Sequence, residues 1–351
     1  KIKKSNNYLI AFLLMSKTAI LIGYGGMGQR YEKALSLMKI KIIAICDKNK
    51  KNLFKIKKKK GLIITKDYRD LLKIKADILC LASNTDSRFK ILTSFSKNNI
   101  IKKIITEKPL ATSYKDCLSL KKIIKSKKIR ILINTHRSFS SNFIMVKKIF
   151  SQRNETPNTI FINSPSAGLG NMGSTFFDLG YFFFNTNANF IFGDIDKKGT
   201  INPRGKKFKD PGGYGVVQFN KNKKLFFNLS ENTGLPYEII VKSENLEVVI
   251  DEINNKFILK ERNIKMQKKP LYFYLFKPKI KRLKLKHKFD VVKMTCFSIK
   301  EILKKKFSYY NFEKSIRVMA LIFATYASSK EKKRINLPLN KKFHKIKVNF
   351  A

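Results

Sequence analysis

Thr18-Ala19-Ile20-Leu21-Ile22-Gly23-Tyr24-Gly25-Gly26-Met27-Gly28 decides the fold of this chain. An apolar run runs straight into a Gly-x-Gly-x-x-Gly turn, and the turn opens a helix predicted through about Leu37. Alone the glycine pattern is a weak signal; between a strand and a helix it has a mechanism. Gly23 permits the tight turn, Gly25 lets the backbone approach a pyrophosphate, and Gly28 allows close helix–strand packing. The amides along Tyr24, Gly26 and Met27, where the helix starts, then hold the phosphates. A second apolar run, Lys41–Cys46, closes on Asp47, 19 residues after Gly28. A carboxylate there accepts from the adenosine ribose hydroxyls of a dinucleotide. It favours NAD by repelling a 2′-phosphate, whereas Lys48, Lys50 and Lys51 offset that repulsion, so NAD and NADP both stand.

Outward from this unit the first half keeps alternating apolar runs with amphipathic stretches, the pattern of a doubly wound parallel sheet. Strands are expected at Leu62–Ile64, Asp77–Ala82, Ile101–Thr106 and Ile129–Asn134. Helices follow from about Ser87, and from Ser113 as N-cap to about Lys127. Ligands of such sheets bind beyond the carboxyl ends of the strands. The turn at Ser83 and Asn84 and the segment Glu107-Lys108-Pro109 end two of those strands and join the cofactor-binding set, with Lys108 beside the reactive end.

Beyond His136 short alternating strands dominate: Asn158–Asn163, Gly215–Asn220, Lys224–Ser230, Tyr237–Lys242, Glu247–Ile250 and Lys256–Lys260. One helix, about Ser174–Asn185, interrupts them, and another, about Phe312–Ser329, closes the chain; Lys277–Lys288 reads as a solvated loop. The expected architecture is α/β: an extension at 1–15, a Rossmann domain at 16–135, and at 136–345 an α+β domain with a mostly antiparallel open sheet.

The 351 residues, 43% hydrophobic and 12% aromatic, argue for folded domains and against disorder. A net charge of +51 raises the question of nucleic acid. Lysine is nonetheless spread over both domains, in short runs such as Lys57–Lys60 and Lys304–Lys306. No stripe interleaved with aromatics forms, which leaves a basic nucleic-acid-binding protein as the least favoured reading. Cys46, Cys80, Cys117 and Cys296 are widely spaced and suit a reducing cytosol, and the three histidines have no metal-ligand spacing, so no metal is expected. The apolar run Tyr8–Met15 is a weak signal-peptide likeness with no cleavage site after it, and Met15 reads as the natural start. No stretch reaches the ~18 apolar residues of a membrane span, so no membrane and a cytoplasmic location are expected.

Taken together, Ile22–Tyr31, Ala44–Asp47, Asp67–Leu72, Thr106–Ala111, Gly173–Gly180 and the closing Ala327–Leu339 resemble the glucose-fructose oxidoreductase, inositol dehydrogenase and MocA (Gfo/Idh/MocA) family. The resemblance spans about residues 16–340, and Glu107-Lys108-Pro109 is its most specific part. It implies NAD(P)-dependent oxidation or reduction of a sugar, cyclitol or activated sugar, and homo-oligomerisation through the carboxyl-terminal sheet. It also implies a cis Lys108–Pro109 bond. By the same resemblance Lys108 and Asp178 are catalytic, and Arg137 contacts substrate or a domain interface. Relatives often carry a histidine or tyrosine four residues after that aspartate, for proton transfer; this chain has Phe182 there, and Tyr181 is the nearest substitute. Arg88 stands where the family often has a histidine. Phe182 supports a second reading, a dinucleotide-binding member with weak or lost catalysis.

Overall fold

Five of the six strands in the first half bury their last three residues, as strands covered on both faces must. In the computed structural model, residues 17–57, 60–165, 167–196, 205, 207–231, 234–284 and 288–350 are described. The amino-terminal extension lies outside the described residues, as do Arg204 and Lys206, whose charge, with that of Lys207, would suit a phosphorylated or nucleotide-linked sugar. The chain divides into two compact units: residues up to His136 with Asp290–Ile316 and Phe350, and Arg137–Phe289 with Arg317–Asn349.

The first unit holds β1 (Thr18–Ile22), β2 (Lys41–Cys46), β3 (Ile63–Thr65), β4 (Ile78–Leu81), β5 (Lys103–Thr106) and β6 (Arg130–Ile133). They pair in parallel in the order β3-β2-β1-β4-β5-β6. The chain reverses its direction across the sheet between β1 and β4, and the crevice opens there. Helices α1 (Gly26–Leu37), α2 (Thr85–Asn98) and α3 (Tyr114–Ser126) connect the strands. Ser113 caps α3 by accepting from the Asp116 amide at 3.1 Å.

The second unit contributes α4 (Ser141–Ser151), β7 (Thr159–Pro165), α5 (Ser174–Phe184), β8 (Ala188–Ile195) and β9 (Gly213–Phe219). After them come β10 (Lys223–Glu231), β11 (Glu238–Lys242), β12 (Leu246–Asp251), β13 (Lys256–Glu261) and β14 (Lys279–Lys284). α6 (Val291–Leu303) returns to the first unit, α7 (Tyr310–Glu331) has residues in both, and β15 (Ile335–Asn336) closes the second sheet. That nine-stranded sheet runs β14-β13-β12-β11-β7-β10-β9-β8-β15, antiparallel except for β7 with β10.

Helix α5 lays Phe177, Gly180, Tyr181 and Phe184 on this sheet, the i, i+3, i+4, i+7 stripe of a helix face. Phe177 meets Phe227 edge-on at 5.1 Å, and Tyr181 and Phe184 flank Phe219 at 5.3 and 5.0 Å. A Cβ at Gly180 would lie 2.9 Å from Leu225, so glycine lets the helix approach closely. The opposite sheet face keeps Phe161 stacked on Phe226 at 4.9 Å, with Phe192 and Tyr214 exposed beside it.

Several elements depart from the expected pattern, among them β8 and β15, where no strand was expected. Lys279–Lys284 is an edge strand instead of a loop, and all six residues are exposed, so no apolar face announces it. α4 and α6 were not expected, and α6 fills two of its five buried positions with Thr295 and Ser298, which dilutes its hydrophobic period. α2 also starts two residues earlier than expected, at Thr85.

Candidate cofactor and active site

Gly23 sits at φ +91°, and a Cβ there would lie 2.7 Å from the Ala82 carbonyl carbon and the Ser83 nitrogen. The first turn of the cofactor loop is thereby held against the end of β4. Gly28 is tighter still, since its Cβ would fall 2.0 Å from the Gly23 carbonyl oxygen. At Gly25 and Gly26, by contrast, a Cβ would meet nothing within 4 Å. These are the two faces of the motif: glycine as packing at positions 23 and 28, glycine as open space at 25 and 26.

Main-chain and side-chain bonds set the turn. The Gly23 amide donates to the Cys46 carbonyl at 2.7 Å, and the Tyr24 amide donates to Asp47 Oδ2 at 2.6 Å. Asp47 also accepts from the Asn49 amide at 2.8 Å and from Asn52 Nδ2 at 3.0 Å. A carboxylate has about four acceptor sites; three are in use, so Asp47 fixes the turn and keeps capacity for one further donor. The Tyr24 hydroxyl donates to Glu32, and burial together with that carboxylate pushes the phenol well up. Helix α1 begins with no side-chain cap and no acidic residue in its first turn. Its leading amides and dipole therefore point at the turn without a protein anion of their own.

A cleft of about 600 Å³ opens beside these groups, lined by Gly23, Gly25, Asp47, Ser83 and Asn84. Lys48, Lys66, Arg69 and Lys90 add positive charge to its lining. Arg69 is held by Asp67, whose carboxyl the same guanidinium keeps below its usual range.

Lys108 is half-buried at the end of β5, in a cis peptide bond with Pro109. Two buried groups hold its segment. Arg88 donates to the Pro109 carbonyl, to the Ser83 carbonyl at 2.5 Å and to Thr85 Oγ1 at 3.3 Å. The residue standing where relatives often have a histidine thus ties the Ser83 turn to the Lys108 segment. Glu107, 5% exposed, accepts from Asn134 Nδ2 at 2.8 Å. Asn134 in turn accepts from Ser298 Oγ at 2.8 Å and lies 3.4 Å from Thr295 Oγ1, both on α6. The buried Tyr31 phenol beside them is raised well above its usual value, by burial first and by the Glu107 charge second. Arg88 and the α6 hydroxyls carry no sequence signal for this role: one is an arginine on a helix, the others lie more than 160 residues after Asn134.

In the second unit Asp178 is fully buried on α5 and accepts from the Ser138 hydroxyl. A π-helical turn at Gly168–Gly173 precedes α5, and Asp210 caps it by accepting from the Gly170 and Asn171 amides at 2.7 and 2.8 Å. Tyr181, expected as the substitute proton donor, points elsewhere. It lies on the sheet-facing stripe, 3% exposed, against Phe219 and with Arg317 5.3 Å over its ring. Asp178 is not on that stripe; Phe182 follows it by one turn and carries Lys147 over its ring at 4.9 Å.

Arg137 is buried within this unit and paired with Glu252 at 2.8 Å, and it donates to Tyr237 Oη at 2.7 Å. The rings of Tyr237, Phe289 and Phe176 surround it at 5.0, 5.3 and 5.7 Å. Burial works against its charge, and the Glu252 carboxylate outweighs burial, so its pKa is raised. Arg137 was expected to contact substrate or a domain interface; within the second unit its guanidinium pairs with Glu252.

Residues 17–135 match the family described as oxidoreductases with an NAD-binding Rossmann fold, the Gfo/Idh/MocA family. Through this Rossmann domain, the chain is similar to the Gfo/Idh/MocA oxidoreductases. No curated protein matches the sequence. Solved structures match its fold along nearly the whole length. A levoglucosan dehydrogenase in complex with NADH is 12% identical, covers 92% of this chain and 100% of its own, and has a TM-score of 0.75. An NAD-binding protein from Listeria innocua is 15% identical over 91% of this chain and 99% of its own, with a TM-score of 0.72. A probable dehydrogenase from Thermotoga maritima is 18% identical over 91% and 98%, with a TM-score of 0.68.

The residues present fit the dinucleotide of this Gfo/Idh/MocA domain. The open space at Gly25 and Gly26, the uncapped start of α1 and the remaining acceptor capacity of Asp47 are what a pyrophosphate and a ribose require. Among the described residues no group of His, Cys, Asp and Glu has the arrangement of a metal site. None of the described helices is long and apolar enough to cross a membrane.

Proposed function

We propose that this chain is a Gfo/Idh/MocA oxidoreductase that acts on the carbinol or carbonyl carbon of a sugar, cyclitol or activated sugar. The observation that carries the reading is Lys108, held at the end of β5 by the Arg88 and Glu107 brackets, in the same unit as the cofactor cleft. When bound, the nicotinamide supplies or accepts the hydride. Everything else falls to the chain's own residues. The Lys108 ammonium donates a hydrogen bond to the reacting oxygen and moves a proton at that atom. Asp178, oriented by the Ser138 hydroxyl, accepts from substrate hydroxyls. Asp47 accepts from the adenosine ribose, while Ser83 and Asn84 line the same cleft, which favours NAD over its 2′-phosphorylated form. Arg137 serves as an internal anchor of the second unit. Levoglucosan, bound by the structural relative together with NADH, is a compound of the proposed class. The exposed Phe161, Phe192 and Tyr214 on the open sheet face support pairing with a second copy of the chain.

One observation favours the weaker reading, a dinucleotide-binding member without turnover: Tyr181 lies against the sheet and Phe182 has no proton to give. Fluorescence titration with NADH and NADPH, followed by turnover assays on sugars and cyclitols, separates the two. The catalytic reading expects turnover by the parent, its loss in Lys108→Ala and Asp178→Asn, and its retention in Tyr181→Phe. Cofactor binding without turnover on any of these substrates establishes the weaker reading. Failure of both dinucleotides to bind overturns each.

A further inference from the structure

The connection between β13 and β14 exposes a run of apolar side chains that no fold requirement explains. Leu271, Tyr272, Tyr274 and Leu275 are 61%, 71%, 72% and 90% exposed, and Ile264 in the preceding one-turn helix is 76% exposed. Contiguous exposed apolar surface marks an interaction site. The segment is shaped, not slack. Arg262, 6% exposed, donates from Nη2 to the Pro270 carbonyl at 2.9 Å and to the Phe273 carbonyl at 3.3 Å, and it stands 5.6 Å over the Phe276 ring. Asn263 caps the one-turn helix by accepting from the Met266 amide at 2.9 Å. A buried arginine thus turns the main-chain carbonyls inward and leaves the apolar tips outward.

Charge identifies the occupant. Residues 262–289 contain eleven Lys or Arg and no Asp or Glu. The neighbouring strand β14 is an exposed edge that carries Lys279, Lys281, Arg282 and Lys284. Leu, Tyr and Phe tips rimmed by lysine are the composition of a surface that lies in the boundary of an anionic bilayer. There the tips enter the acyl edge and the ammonium groups meet phosphate headgroups. A second copy of the chain would bring the same cationic rim against itself. Single-stranded nucleic acid would need free ring faces, yet Tyr272 and Phe273 are packed on each other at 4.7 Å and Phe276 is covered by Arg262. The two most exposed tips, Leu275 and Ile264, are aliphatic and offer a base nothing to stack on.

We propose that Ile264–Phe276, with the basic edge strand β14, is a peripheral docking surface for anionic lipid membrane. The contact needs no spanning helix.

The chain contains no tryptophan, so a single Leu275→Trp substitution is an unmixed reporter. Its emission is expected to shift to the blue with phosphatidylserine–phosphatidylcholine vesicles and not with phosphatidylcholine alone, and Phe54→Trp, at a comparably exposed position outside this segment, is expected not to shift. Sedimentation of the full chain with the anionic vesicles should weaken about tenfold or more in Tyr272→Asp/Leu275→Asp, because apolar burial is lost. The charge-matched control Phe54→Asp/Leu235→Asp should bind as the parent does, and NADH titration of both variants should match the parent. Equal weakening in the two double variants would reduce the effect to overall charge and overturn the proposal. So would absence of vesicle binding, whether the loop variant then loses affinity for a single-stranded oligonucleotide or changes from dimer to monomer.

Discussion

The guanidinium of Arg88 donates to the main-chain carbonyl of Pro109 and, from its other amino group, to that of Ser83. Two strand ends that approach the crevice, β4 and β5, are therefore locked by one buried side chain. Arg88→Ala is expected to cost about 3 kcal/mol of stability, since it leaves two carbonyls without a charged donor. The Ser83 turn lines the cofactor cleft, so NADH affinity should fall as well, with partial recovery in Arg88→Lys. Urea unfolding and NADH fluorescence titration measure the two effects; a variant that matches the parent in both would refute the brace.

The glycines of the turn should separate by phenotype. Gly28→Ala places a methyl 2.0 Å from the Gly23 carbonyl and is expected to cost about 4 kcal/mol or prevent folding. Gly25→Ala adds a methyl to open space, so melting should stay close to the parent. The same methyl would occupy the path of a pyrophosphate and weaken NADH about tenfold or more. Thermal melts with and without NADH distinguish the two variants.

Asp47→Asn keeps one acceptor oxygen for the three donors that Asp47 now serves and removes the charge. We expect NADH affinity to fall about tenfold, as for loss of a charge-assisted hydrogen bond, and the preference for NADH over NADPH to narrow. Paired titrations with both cofactors provide the ratio.

Acid should release one link in the second unit. Asp194 is held down to about 2 by Lys332 and Ser329 of the α7 end and by the Ile195 amide. Its folded value lies below the ordinary ~3.9, so its contribution is present above about pH 4 and disappears as pH falls toward 2. Asp194→Asn should therefore melt below the parent at neutral pH, and the gap should close in acid. The pair is largely exposed, so salt should shrink the gap too.

Burial raises all four thiols, Cys46 to about 12, and pushes Cys80, Cys117 and Cys296 up in the same direction. A thiol reagent at pH 8 should react slowly with the native chain and rapidly with all four cysteines after unfolding. Fast labelling of Cys46 in the native state would contradict the burial of β2.

The Rossmann half was legible because its signals are local. A two-sided buried strand is a continuous apolar run, and a glycine turn at a helix start has one mechanical use, so the strands and Asp47 could be read in order, while the cis bond at Lys108 came from the family resemblance. The second half was legible only where strands alternate. β14 escaped because an edge strand exposed on both faces carries no apolar period. α6 escaped because Thr295 and Ser298 take core positions that apolar residues usually hold.

The sequence by itself determined the dinucleotide fold, the turn that receives a phosphate and the lysine that ends β5, since each follows from residue types at fixed short spacing. Only the tertiary structure decided what those groups touch. Ser298 reaches Glu107 through Asn134 across more than 160 residues of chain, and Arg88 spans two strand ends. Tyr181, one residue before the position of the usual proton donor, is turned onto the sheet because it shares a helical face with Phe177 and Phe184. Helix rotation is set by which face buries best, and no short motif encodes that outcome.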